Sequence, residues 1–236
     1  MHLHDLTQFL NELSHNNNRP WFVMNKPRYD ILREEFLVTV SSLISQIAKY
    51  DPALAGCNPS KALFRIHRDM RFSHDKSPYK TRFSAAIVPN DLRRPNVAHG
   101  PCYYLHIDAN GRLLYGAGEY APAPARLRAI RAHIVNDEPG FSKLLKNRKM
   151  CDTFGQLRQE SKLKRAPRGF EADAAHIESI KLKMFFVWTE EALNLAQPER
   201  LVPDLAGSLR DAAPLVNWLR SVPQPTQAPT QSPSQA

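Results

Sequence analysis

The chain has 236 residues, with 32 Lys and Arg against 23 Asp and Glu, a net charge of +9 and a pI near 9.6. That length fits one large domain or two small ones and is enough to bury a real core. The positive balance directs attention to anionic partners: nucleic acid, phosphorylated ligands or an acidic surface.

In chain order, Asp5 is placed to cap a first helix whose Leu6, Phe9, Leu10 and Leu13 recur at helical spacing. Asn16-Asn17-Asn18 ends it, Pro20 starts the next turn, and Trp21 and Phe22 read as core anchors. A long helix over about residues 27–48 lines Tyr29, Leu32, Phe36, Val40, Leu43, Ile44 and Ile47 along one face. Residues 62–87 then hold Arg65, Arg68, Arg71, Lys76, Lys80 and Arg82 against only Asp69 and Asp75, with Phe72 and Tyr79 between the charges. The pattern predicts a strand with Phe64 and Ile66 on one face, a polar loop over Ser73 to Pro78, and a second strand over 83–88.

A polar connection over 90–100 leads to the clearest local signal, a β-hairpin of 103–108 and 113–118. Asn110-Gly111 suits a two-residue type I′ turn, which sets Asp108 opposite Leu113, His106 opposite Tyr115 and Tyr104 opposite Ala117. Gly116 and Gly118 remove side chains from the other face, which suits either close approach of a ligand or neighbouring element to the backbone or simple room in packing. Helices are expected over 124–135 and 138–149, then a second basic loop, 163–170, with Lys164, Arg165 and Arg168. A short helix over 178–182, a buried strand over 184–188, a short helix capped by Thr189 and a last helix over 203–220 complete the folded part. From 223 to 236 the chain is uncharged and rich in Pro, Gln, Ser and Thr, the composition of a disordered tail. The expectation is a single α+β domain over 1–222, with a mixed or antiparallel sheet, a central β-hairpin and several packing helices.

Cys57, Cys102 and Cys151 form no CxxC pair, which excludes a zinc ribbon and a thioredoxin-type site and suits reduced thiols in the cytoplasm. The start, MHLHDLTQFLNEL, lacks a signal-peptide pattern, and the densest apolar run, 184–188, is too short to span a bilayer, so no membrane partner is expected.

The stretches Asn16 to Phe22 with Asn25-Lys26, Arg65 to Lys80, the hairpin, Leu127 to Arg131 and Leu163 to Phe170 together resemble the domain of unknown function 2461 family, over about residues 3–195. That family of conserved hypothetical proteins has no established activity, so the resemblance implies a kinship and no mechanism. Its members commonly carry tyrosine at the position of His67, which argues against essential chemistry there.

The residues themselves point to an anion site. Arg65, Arg68, Arg71, Lys76, Tyr79 and Lys80 are the ligand-binding candidates, because guanidinium forks match phosphate and carboxylate oxygens in pairs. The alternative is a clasp in which Asp69 and Asp75 pair with the arginines. Asp69 and His106 are the catalytic candidates, with Glu119 and Tyr79 behind them. His67 with Asp69 and His106 with Asp108 each share a strand face, but their basic surroundings argue against a metal, and no cofactor is expected. No GxSxG elbow, Walker loop or dinucleotide fingerprint is present. An anionic, phosphate-bearing small molecule is the expected partner. A nucleic acid read by the basic surface and its tyrosines is the alternative, and a structural or protein-interaction role the third. Oligomeric state is left open.

Overall fold

The computed structural model describes residues 1–69, 71, 76–89 and 100–223. Residues 70 and 72–75, which include the first half of the Ser73–Pro78 loop, residues 90–99 of the 90–100 connection and the tail from 224 lie outside the described residues.

Helix α1 (Leu3–His15) buries Leu3, Leu6, Phe9, Leu10 and Leu13, the expected stripe. It begins before Asp5, with His2 at the cap position, so Asp5 sits in the first turn and is not the cap. Its carboxylate accepts from Arg28 Nε at 2.8 Å, while Arg28 Nη1 reaches Glu12 at 2.8 Å. Helix α2 (Arg19–Met24) is capped by Asn18, whose side chain accepts from the Trp21 N–H at 3.0 Å. Helix α3 (Lys26–Ile47) lays Leu32, Phe36, Val40, Leu43, Ile44 and Ile47 into the core.

After the single turn of α4 (Pro59–Ala62), residues 63–68 do not form the expected continuous strand. They run antiparallel beside the following segment through isolated bridges, Leu63 to Ala85 and His67 to Tyr79. The sheet proper comprises β1 (Arg82–Ile87), β2 (Cys102–Asp108), β3 (Arg112–Glu119) and β4 (Phe185–Ala192), all antiparallel and in that order. Phe83, Ala85 and Ile87 of β1, Tyr103, Leu105 and Ile107 of β2, and Leu113, Tyr115 and Ala117 of β3 are buried on one face.

The hairpin is present, but its register differs from the type I′ expectation by one residue. Leu105 faces Tyr115, His106 faces Leu114 and Tyr104 faces Gly116. The loop is a turn closed by the Gly111 N–H on the Asp108 carbonyl at 3.2 Å, with Gly111 at φ 68°. Asp108 Oδ1 accepts from the Asn110 and Arg112 N–H groups at 2.8 and 3.0 Å. That side-chain cap holds a three-residue loop, in which only the glycine needs positive φ.

Three further expectations change. The helix over 138–149 is two: α6 (Glu138–Leu145) and α7 (Arg148–Phe154), separated because Asn147 accepts from the Met150 N–H and caps a new start. The last helix is likewise two, α9 (Leu201–Asp211) and α10 (Ala213–Ser221), broken ahead of Pro214, which has no N–H to continue the ladder. Thr189 caps no helix; β4 runs on to Ala192, because Thr189 and Glu190 pair with Tyr115 and Leu114 of β3 and Arg112 donates to Glu190 at 2.8 Å. Helix α5 (Pro124–Asn136) and the short α8 (Ile177–Ile180) fall where expected. The fold is α+β.

Helix α5 is tied to the end of the chain by a buried charge. Arg126 Nε lies 3.2 Å from both Glu119 oxygens, and its two other nitrogens donate to the Val222 and Leu219 carbonyls at 3.0 and 2.5 Å. The guanidinium thus pairs an acid at the end of β3 and closes the last turn of α10. Arg126→Met should destabilise the protein by about 3–5 kcal/mol, since it removes the cation paired with the buried Glu119 carboxylate. Chemical denaturation measures this, and adding Glu119→Leu should recover part of the loss. In the hairpin, Gly111→Val should cost about 1–3 kcal/mol through positive φ, and Gly111→Asn much less.

Candidate functional site

Side chains alternate along each strand, so the face turned away from α1, α3, α9 and α10 carries Arg82, Ser84 and Ala86 from β1, and Cys102, Tyr104 and His106 from β2. From β3 come Leu114, Gly116 and Gly118, and from β4 Phe186, Trp188 and Glu190. A pocket of about 520 Å³ lies on this face, closed at its margins by Phe64, Lys80 and Tyr120. Its size falls within the range of small-molecule sites, about 300–1,000 Å³.

One wall is cationic. Lys80 Nζ donates to the Arg65 carbonyl at 3.1 Å and sits 5.3 Å above the Phe64 ring. Burial, then the charges of Arg82, Arg65 and Arg68, lower its pKa below the ordinary lysine value. Neither Lys80 nor Arg82 forms an ion pair among the described residues, whereas the acids nearby are engaged. Glu119 holds Arg126, Glu190 holds Arg112, and Asp69 holds Arg71.

His106 lies at the centre of β2, with the Tyr104 hydroxyl 3.2 Å from its Nδ1. Burial first and the charge of Arg82 second hold its pKa down at about 4, against the pull of Asp108 and Glu190. The ring is therefore neutral at pH 7. Burial also raises the Tyr104 hydroxyl, which Ser84 hydrogen-bonds, and lifts the Cys102 thiol, with help from Glu119, to about 12.

The residues singled out in the sequence are divided by the fold. Lys80 and His106 line the pocket. Arg65 and Arg68 are close enough to act on Lys80 electrostatically, Arg65 being exposed and Arg68 half-buried. Asp69 is on the surface and forms a two-pronged pair with Arg71, Nε at 3.0 Å and Nη2 at 2.7 Å, and Lys76 is exposed. Tyr79 is buried, its ring stacked 4.0 Å from Phe22. Its backbone N–H and carbonyl are both held by the Asn17 side chain, at 3.0 and 2.9 Å. His67 packs against Phe22 and Tyr79, and Asp108 caps its own turn. No group of three or more His, Cys, Asp or Glu is placed for a metal among the described residues.

Sequence reasoning did not pick out Arg82, Ser84, Phe186 or Trp188 as site residues. The signal that finds them is β alternation once the register is known: each lies on the polar or aromatic side of a strand whose other side is apolar.

An antiparallel sheet packed by helices on one face, with a cationic and aromatic pocket on the other, defines the class of this α+β protein. The profile of the conserved hypothetical protein family DUF2461 matches residues 5–218, and the chain belongs to that family. No curated protein and no solved structure matches it. No helix among the described residues is long and apolar enough to cross a membrane.

The neutral state of His106 carries a pH signature. A histidine titrates near 6.5 when unperturbed but at about 4 in this fold, so the unfolded chain binds the extra proton first. Its contribution to stability is complete above pH 6.5 and is lost as the pH falls toward 4. His106→Gln should flatten the decline of the urea midpoint across that window relative to the parent. Parallel curves would show that His106 keeps its ordinary pKa.

Proposed function

We propose that the pocket binds an anionic, phosphate-bearing small molecule through Lys80 and Arg82, with Arg65 and Arg68 adding to the field. The observation that supports this most is the pair of cations on one wall, Lys80 and Arg82, without an acid partner among the described residues. Two cations held together beside apolar rings repel each other, and the charge of Arg82 adds to burial, the larger cause, in lowering the Lys80 pKa. A bound dianion relieves that repulsion and receives charge-assisted hydrogen bonds, which are about twice as strong as neutral ones. In this reading Asp69 and Arg71 are a surface clasp, Tyr79 is a packing residue, and His106 is the group positioned to exchange a proton with a ligand.

The test is a thermal-shift screen against inorganic phosphate, phosphosugars and nucleotides. A ligand at 100 times its Kd stabilises the native state by about 2.7 kcal/mol. Lys80→Ala and Arg82→Ala should each remove most of that shift, and Arg82→Lys should weaken it, because an ammonium cannot make paired contacts. Arg148→Ala, at an exposed position on α7, should leave it unchanged. If no anion raises the melting temperature, the reading fails. A steep salt slope with indifference to ligand shape would favour nucleic acid on the basic surface.

A further inference from the structure

The pocket has more aromatic surface than an anion needs. Tyr104 of β2 stands on one side, edge-on to Phe64 with ring centres 6.2 Å apart and to His106 at 5.7 Å. Trp188 of β4 stands on the other, 6.1 Å from Phe186, which Tyr120 meets edge-on at 6.1 Å. Both groups line the same cavity, and no ring contact among the described residues joins them. What separates them is one position of β3. Gly116 is the register partner of both Tyr104 and Trp188.

A side chain at 116 is sterically excluded, because a Cβ there would lie 2.1 Å from the Val187 carbonyl oxygen and 2.7 Å from Trp188 Cβ. The strand between the two aromatic walls therefore puts no side chain between them. Strands lie about 4.8 Å apart, so Tyr104 and Trp188 rise from backbones roughly 9.6 Å apart. A flat ring in van der Waals contact on both faces needs about 7–8 Å between its neighbours, at about 3.5–4.0 Å per contact. The indole is also held in place: Arg158 lies 4.3 Å above it and donates to the Trp188 carbonyl at 2.5 Å.

We propose that the ligand carries a flat conjugated ring that stacks between Tyr104 and Trp188, its phosphate reaching Lys80 and Arg82, which makes a mononucleotide-like compound the ligand class. This inference rests on the anion-binding reading for the phosphate, while the ring slot stands on the aromatic geometry.

The experiment compares adenosine 5′-monophosphate, ribose 5-phosphate and adenosine by calorimetry on the full chain and on four variants: Trp188→Leu, Tyr104→Leu, Lys80→Ala and Arg82→Ala. The nucleotide should bind about ten-fold or more tighter than ribose 5-phosphate, as one stacked base contributes. Whichever of Trp188→Leu and Tyr104→Leu retains a cooperative melt should lose that preference while binding ribose 5-phosphate as before. Equal affinity for the nucleotide and ribose 5-phosphate overturns the slot and leaves the anion reading standing. Adenosine binding as tightly as the nucleotide, unaffected by Arg82→Ala, overturns the anion reading and keeps the slot. A single-stranded oligonucleotide that binds more than ten-fold tighter than the mononucleotide overturns the small-ligand class. No binding of any of the three at millimolar concentration overturns both readings.

Discussion

Which side chains reach the pocket is decided at Asp108. Its carboxylate accepts two backbone N–H groups of the turn and so holds three loop residues instead of two. With period-two strands, one residue of slip exchanges the faces of everything that follows. In the observed register Tyr103, Leu105 and Ile107 share the helix-packed face with Leu113, Tyr115 and Ala117. The two-residue turn would have set those two apolar triplets on opposite faces and put Tyr115 beside His106. Because β4 is registered on β3, the same turn decides that Trp188 and Phe186 stand over the pocket and Val187 and Phe185 in the core.

The Arg-rich segment has two jobs that its composition alone conceals. At Tyr79 it is a tether: Asn17 mimics a backbone partner for that residue, and Phe22 stacks on its ring, so the turn between α1 and α2 is fastened to it. One residue on, at Lys80, it enters the pocket wall. Alternation makes this division necessary. A residue whose neighbour is anchored in the core must point its own side chain elsewhere, and here that direction carries Lys80 and, two further on, Arg82. The exposed Asp69–Arg71 pair stands outside both jobs, and surface pairs of that kind contribute little.

Much of the fold was legible because it is local. The stripes of α1 and α3, the α2 start at Asn18-Arg19-Pro20, the hairpin and the strand through Phe185 to Trp188 all follow from periodicity and capping chemistry within a few residues. Pro214 and Asn147 were legible too: the helix breaks they cause obey rules that a count of apolar spacing alone overrode. The register of the hairpin was readable from the two apolar triplets, which share a face only across an odd-numbered loop. The site was legible on one side only. Lys80 and His106 stand out by type, but Trp188 sits some 80 positions from His106, and only the sheet brings them into one pocket. Gly116 looked like room for something, and a Cβ there would collide with the backbone and Cβ of β4.

The physical character of the pocket follows from mixing these two sources. Aromatic walls withdraw Lys80 and His106 from water, and withdrawal disfavours the charged form of each. Arg82 cannot lose its charge, so it remains the fixed positive point of the site and pushes both neighbours toward neutrality. A neutral ligand, by displacing water, would only press both neighbours further toward neutrality. An anion beside Arg82 reverses it, favouring the protonated forms of both neighbours, so its binding would draw in protons as the pH falls toward the His106 range. If the proposed anion binds there, the environment that makes His106 a poor cation would make its protonation depend on the ligand.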